Sequence, residues 1–186
     1  MCDHHPRMDQ VAGFLSAHDA AVAEDARWGD LRLRIMSYIC ADMPSLELIT
    51  SARAVVLREG QVLVVRDPGG FHIVPGGRRE AHEKPEQTVR REVLEETGWI
   101  IHDLRLLGVK HFRHMSPRPT GYSYPFPDFF QVVYVASSDK FSPLDQQKGQ
   151  YELDAGFQPL AAVRRLTLTA SDQAFLRAAL GAVADL

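Results

Sequence analysis

Residues 77–99 read GRREAHEKPEQTVRREVLEETGW, an acid-rich run bounded by glycines with one proline inside it. Pro85 suits the first turn of a helix, where its missing N–H costs nothing, and Gly98 is placed to end one, so a helix is predicted over about 85–97. On that helix Glu92, Glu95 and Glu96 stand at i, i+3 and i+4 and share one face. Three carboxylates alone ordinarily mark a solvated helix face. Here they follow Gly76-Gly77, a turn that lets backbone carbonyls approach a bound ion, and they have Arg91 beside them and Glu83 at the helix entrance. An oxygen-only set of this kind suits a hard divalent cation.

On the N-terminal side, segments 49–57 and 61–66 are rich in Val and Leu and flank Glu59-Gly60, which predicts a tight β-hairpin. Asp67-Pro68-Gly69-Gly70 closes the second strand, and 71–74 form a third that runs into Pro75-Gly76-Gly77. On the C-terminal side, strands are expected over 104–113 and 130–136, then a helix from about Ser171 with Phe175, Leu176, Ala179 and Leu180 on its apolar face. Strands around an internal helix, with another helix at the end, predict an α/β sandwich. Before residue 45 the periodicity is helical. Val11, Phe14, Leu15 and Val22 form one stripe, interrupted by His18, and Trp28, Leu31, Ile35 and Ile39 form a second, so two helices broken near Gly29 are expected. With Met43-Pro44-Ser45 as connector, the expected division is a helical extension over 1–45 and a main domain over 46–186.

The chain has 186 residues, 45% of them hydrophobic and 24% charged, which fits one compact domain with an appendage. Its formal charge of -3 offers no field for gathering a long nucleic acid. No apolar run approaches the roughly 18 to 20 residues that cross a bilayer, so a cytoplasmic protein without a membrane partner is expected. Cys2 and Cys40 make neither a disulfide framework nor a zinc set.

Residues 77–99 resemble the Nudix box, the signature of hydrolases acting on nucleoside diphosphates linked to another moiety. The box asks for glycine, five residues, glutamate, seven residues, then arginine, glutamate, an aliphatic, any residue, two glutamates, any residue, glycine and a hydrophobic. Gly77, Glu83, Arg91, Glu92, Val93, Glu95, Glu96, Gly98 and Trp99 fill those positions in register. A chance match of the fixed identities is on the order of one in ten million per window or rarer. The likeness extends less specifically to 49–65, to 74–77 and to 156–160. His82 replaces a glycine common before the first glutamate, and Trp99 is bulkier than the usual aliphatic.

The resemblance implies a Nudix-type α/β/α sandwich with a mixed sheet, here preceded by the helical extension. It implies cleavage of a pyrophosphate linkage in a nucleoside diphosphate derivative or nucleoside triphosphate by water attack at phosphorus. The metal would be Mg²⁺, with Mn²⁺ able to replace it, held by Glu92, Glu95 and Glu96 with a carbonyl of Gly77 or Gly76. Glu92, Arg91 and Glu83 form the catalytic group, Arg91 orienting the glutamates. The base is Glu92 or a later acid: Asp128, Glu152 or Asp154.

Substrate contacts are expected from Arg53 and Arg66 of the first hairpin, and from Tyr122, Tyr124 and Asp128 of a proline- and aromatic-rich loop whose rings equally well pack onto the domain. His111 and His114 flank that loop as metal ligands, proton shuttles or plain structural residues. The partner is a small nucleotide-type substrate, and the apolar faces of the extension, with Phe14, Trp28 and Ile35, are expected to pack against the main domain or a twofold-related copy, which allows a homodimer. Two other functions compete. A non-catalytic Nudix-like sensing domain would tolerate loss of the glutamates, and an isomerase of the isopentenyl-diphosphate type needs a core cysteine that residues 41–186 lack.

Overall fold

The computed structural model describes residues 6–143 and 154–184; Cys2 and Glu152 lie outside them. The first element is a helix, α1 (Pro6–Ser16), and the sequence then forms two antiparallel strands, β1 (Val22–Trp28) and β2 (Leu31–Ile39), joined through Gly29 at φ 59°. This corrects the second predicted helix. Leu31, Ile35 and Ile39 are spaced by four, a multiple of the strand period of two and close to one helical turn, so they cannot discriminate between them. Leu33 can. It is buried with Ile35, while Arg34 between them and Arg32 before them are exposed, which is strand alternation.

A 3₁₀ turn (Leu46–Leu48) leads into β3 (Ile49–Arg58) and β4 (Gln61–Asp67), followed by the short β5 (Gly70–His72) and β6 (Gly76–Arg78). The predicted helix is α2 (Pro85–Thr97), after which come β7 (Trp99–His114), β8 (Asp128–Phe141), β9 (Asp154–Pro159), α3 (Leu160–Val163) and α4 (Ala170–Ala184). The strands form one mixed sheet in the order β1-β2-β7-β8-β3-β4-β5, with β6 on β3 and β9 on β4. Within it β3 and β8 run parallel, Ala52 opposite Val132 and Val55 opposite Val135.

Both sheet faces are covered, and the central strands accordingly read as nearly continuous apolar runs. Along β8, Phe130, Val132, Tyr134 and Ala136 pack with Val89 and Val93 of α2 and Val11 of α1. The alternate residues Val133 and Val135 pack with Phe175, Leu176 and Ala179 of α4. The hairpin has its own small core, Leu33 and Ile35 against Phe112 and Phe129. Gly108 allows β7 to bend at a register shift: it sits at φ 153°, and a Cβ there would collide with the carbonyl oxygen of Tyr38 in β2. No helix among the described residues is long and apolar enough to cross a membrane.

Candidate active site

The site begins where β6 lies on β3, Gly76 opposite Arg53 and Gly77 opposite Ala52. Gly76 has φ 131°, and a Cβ there would strike Ala52 and Arg53, so only glycine fits this approach. A Cβ on Gly77 would overlap the carboxylate of Glu92, which therefore rests directly on the glycine backbone. The N–H of Gly76 donates to Glu96 Oε2 at 2.8 Å. Helix α2 holds these glutamates in place: Gln87 Oε1 accepts the Lys84 N–H at its start, and Gly98, at φ 74°, ends it.

Arg91 is the hub. Its guanidinium donates to both oxygens of Glu83 at 2.7 and 2.9 Å, to Glu92 Oε1 at 2.9 Å, to Glu95 Oε2 at 3.1 Å and to the Arg78 carbonyl at 3.1 Å. Glu83 also accepts from Thr88 Oγ1 and the Glu80 N–H. Chiefly through Arg91, these bonds hold its carboxyl at about 2, well below the usual range. Glu92 moves the opposite way. Burial raises its pKa, and Arg91 only partly offsets that.

Beside this unit lies a cavity of about 510 Å³ that Glu96 lines together with Arg53, His72, Lys110 and Gln131 of the sheet and Asp172 of α4. Arg53 is steadied by the Val74 carbonyl at 3.0 Å, and Lys110 pairs with buried Asp172 at 3.3 Å. Burial, followed by the charge of Arg53, lowers the pKa of His72, favouring its neutral ring. A second cavity, of about 560 Å³, surrounds the β3–β4 turn and contains no residue of the 77–99 segment. The first is therefore the one joined to the carboxylates.

The NUDIX domain model matches residues 48–179. The chain belongs to this family. The NAD-capped RNA hydrolase NudC of Salmonella typhi is 30% identical over 103 residues, which cover 54% of this chain and 35% of that protein. The chain thus spans about a third of the length of that curated relative. Among solved structures, a mutant of the Bacillus subtilis pyrophosphohydrolase BsRppH superposes with a TM-score of 0.56 at 16% identity, covering 87% of this chain and 96% of that one. The NUDIX domain of Shewanella oneidensis NrtR complexed with ADP ribose superposes at 0.52 with 21% identity, covering 75% and 90%. At these identities the superpositions speak to the NUDIX fold.

Of the residues singled out in the sequence, this NUDIX domain brings Gly77, Glu83, Arg91, Glu92, Glu95 and Glu96 into one unit, with Arg53 in the adjoining cavity. Arg66 is exposed on β4 and outside that cavity's lining, its strand partners being Phe71 and Asp154. Tyr124 meets the box through Arg78, whose guanidinium lies 4.5 Å from the ring centre, and Tyr122 bonds His114 Nε2 at 2.9 Å. Neither ring lines the cavity. Asp128 is buried against His111 Nε2 at 2.8 Å, and Asp154 is exposed at the start of β9. His72, Lys110, Gln131 and Asp172 also line the cavity without belonging to any motif of the sequence. Lys110 and Phe112 alternate on a predicted strand and gave a weak signal, whereas Asp172 approaches only through the packing of α4.

Proposed function

We propose that this chain is a Nudix-type pyrophosphohydrolase that uses Mg²⁺, or Mn²⁺ in its place, to cleave the pyrophosphate linkage of a nucleoside diphosphate derivative or nucleoside triphosphate. The observation that carries the reading is the attachment of Glu92, Glu95 and Glu96 to the Gly76-Gly77 backbone and Arg91, with Glu96 opening onto a cavity that also holds Arg53 and Lys110. Among the described residues no three His, Cys, Asp or Glu side chains are gathered closely enough to ligate one ion. Glu92 Oε1 and Glu95 Oε2 instead both accept from Arg91 Nη1, and Glu96 Oε2 accepts from the Gly76 N–H. The donor set is entirely oxygen, in keeping with a hard divalent cation held by Glu92, Glu95, Glu96 and a glycine carbonyl.

Bound there, such a cation would neutralise the bridging phosphates and acidify the attacking water. Arg53 and Lys110 orient the anionic phosphates in the cavity. Of the described candidate bases, Glu92 is the one that rests on the Gly77 backbone beside Arg91, whereas Asp128 is bonded to His111 and Asp154 is exposed. Glu83 keeps its charge and fixes Arg91, so its part is positioning. ADP ribose and an NAD cap, named for the Shewanella and Salmonella relatives, both contain a nucleoside diphosphate and head the substrate panel. Phosphate-release and product assays on ADP ribose, NAD and nucleoside triphosphates should show turnover with Mg²⁺ and none with EDTA. Absence of hydrolysis across the panel with both Mg²⁺ and Mn²⁺ would remove the reading.

A further inference from the structure

The family match begins at residue 48, yet Glu24 and Trp28 of β1 and Ile35 of β2 line the same cavity as Glu96. We propose that the β1–β2 hairpin selects the substrate: Trp28 is a stacking platform for the base of a nucleoside diphosphate derivative, and Glu24 accepts hydrogen bonds from its hydroxyl or amino groups. This rests on, and deepens, the pyrophosphohydrolase reading.

Trp28 is 52% exposed, although tryptophan is among the side chains that bury the most apolar surface when they can. Its ring nevertheless has a firm backing. It lies 5.6 Å from Phe112, which is itself buried and stacked on Phe129 at 4.8 Å with the planes 5° apart. A large exposed aromatic surface on a rigid support binds a flat ring with little loss of side-chain freedom. Glu24 stands four residues earlier on the same strand and so projects from the same face. Among the described residues its carboxylate has no hydrogen-bond or ion-pair partner, whereas Asp172 of the same cavity is paired with Lys110.

The charges order the ligand. A free carboxylate repels phosphate and accepts from ribose hydroxyls or an exocyclic amine, while Arg53 and Lys110 attract the diphosphate. One cavity thus has an anionic, donor-seeking part supplied by the hairpin, and two cations, Arg53 and Lys110, supplied by the family domain. Its volume of about 510 Å³ lies within the roughly 300–1,000 Å³ typical of small-molecule sites.

The test titrates ADP and inorganic pyrophosphate against the full chain, following tryptophan emission and calorimetric affinity. ADP should quench the emission of the unaltered protein and leave that of Trp28→Phe almost unchanged, with ADP affinity kept within about three-fold because a ring remains. Trp28→Ala should weaken ADP roughly ten-fold or more while leaving pyrophosphate affinity unchanged. Glu24→Ala should weaken ADP several-fold and not weaken pyrophosphate. Equal ADP affinity in Trp28→Ala and the parent, or parallel loss of ADP and pyrophosphate, would overturn the proposal. The two readings fail separately. Trp28-dependent ADP binding without hydrolysis of any panel substrate would remove the activity and keep the site; hydrolysis with Trp28-independent ADP binding would do the reverse.

Discussion

Glu83 and Glu92 are glutamates of one loop and helix, and their surroundings drive their proton affinities apart. Glu83, with its pKa lowered from 4.5 to about 2, stabilises the fold fully above the unfolded value and loses that contribution as pH falls toward 2. Glu83→Gln should therefore cost about 1–3 kcal/mol at pH 7, screening by partial exposure included, and much less near pH 2. Urea denaturation at both pH values measures the difference. Glu95→Gln and Glu96→Gln should each lower kcat by about a hundred-fold or more with Tm shifted by only a few degrees, because glutamine keeps an acceptor for Arg91 or for the Gly76 N–H. Assays at saturating Mg²⁺ together with melting curves check this. These residues were legible in the sequence because helix geometry fixes i, i+3 and i+4 whatever the tertiary structure. Lys110 and Asp172 were not, since 62 residues separate the pair and only packing joins them.

At the level of elements, the hairpin 49–66, helix α2 and its glycine stop follow from local rules, and the structure has them where the sequence places them. The N-terminal hairpin does not, because spacing by four suits either period. Burial along β2 makes the difference measurable. Leu33→Ala removes a side chain only 1% exposed and should cost about 2–4 kcal/mol, whereas Ile39→Ala, at a position 43% exposed, should cost under about 1. Similar losses at the two positions in denaturant titrations would contradict the strand assignment. Gly108→Ala should also destabilise, since both its φ and the Tyr38 carbonyl exclude a side chain.

Across the whole molecule, the extension is tied to the domain it precedes. Phe14 of α1 meets Phe130 of β8 at 5.2 Å and Tyr38 of β2 at 6.2 Å, and β2 pairs with β7 from Leu33 opposite His114 to Ile39 opposite Gly108. His18, stacked on Phe14 and bonded to Asp42 at 2.8 Å, fastens the end of the helix. Much of the extension's apolar surface thus finds partners within one chain, while Trp28 and Ile39 stay 52% and 43% exposed. Deleting residues 1–43 should lower Tm by more than about 10 °C or leave a chain that aggregates, as calorimetry and light scattering would show. A truncated protein that melts unchanged would make residue 45 a folding boundary.

The pairing of β2 with β7 also bears on the order of assembly. Leu33 finds its strand neighbour at His114, and Ile49 finds its parallel partner at Phe130, so both contacts close loops of about eighty residues. During synthesis the hairpin emerges long before β7 exists to receive it. Its apolar side, Leu33 and Ile35, stays open to chaperones or to neighbouring chains until Phe112 and Phe129 have left the ribosome. Nascent chains stalled before residue 112 should therefore be more protease-sensitive over 22–39 than chains released past residue 141, and refolding of the free protein should run in milliseconds to seconds rather than microseconds.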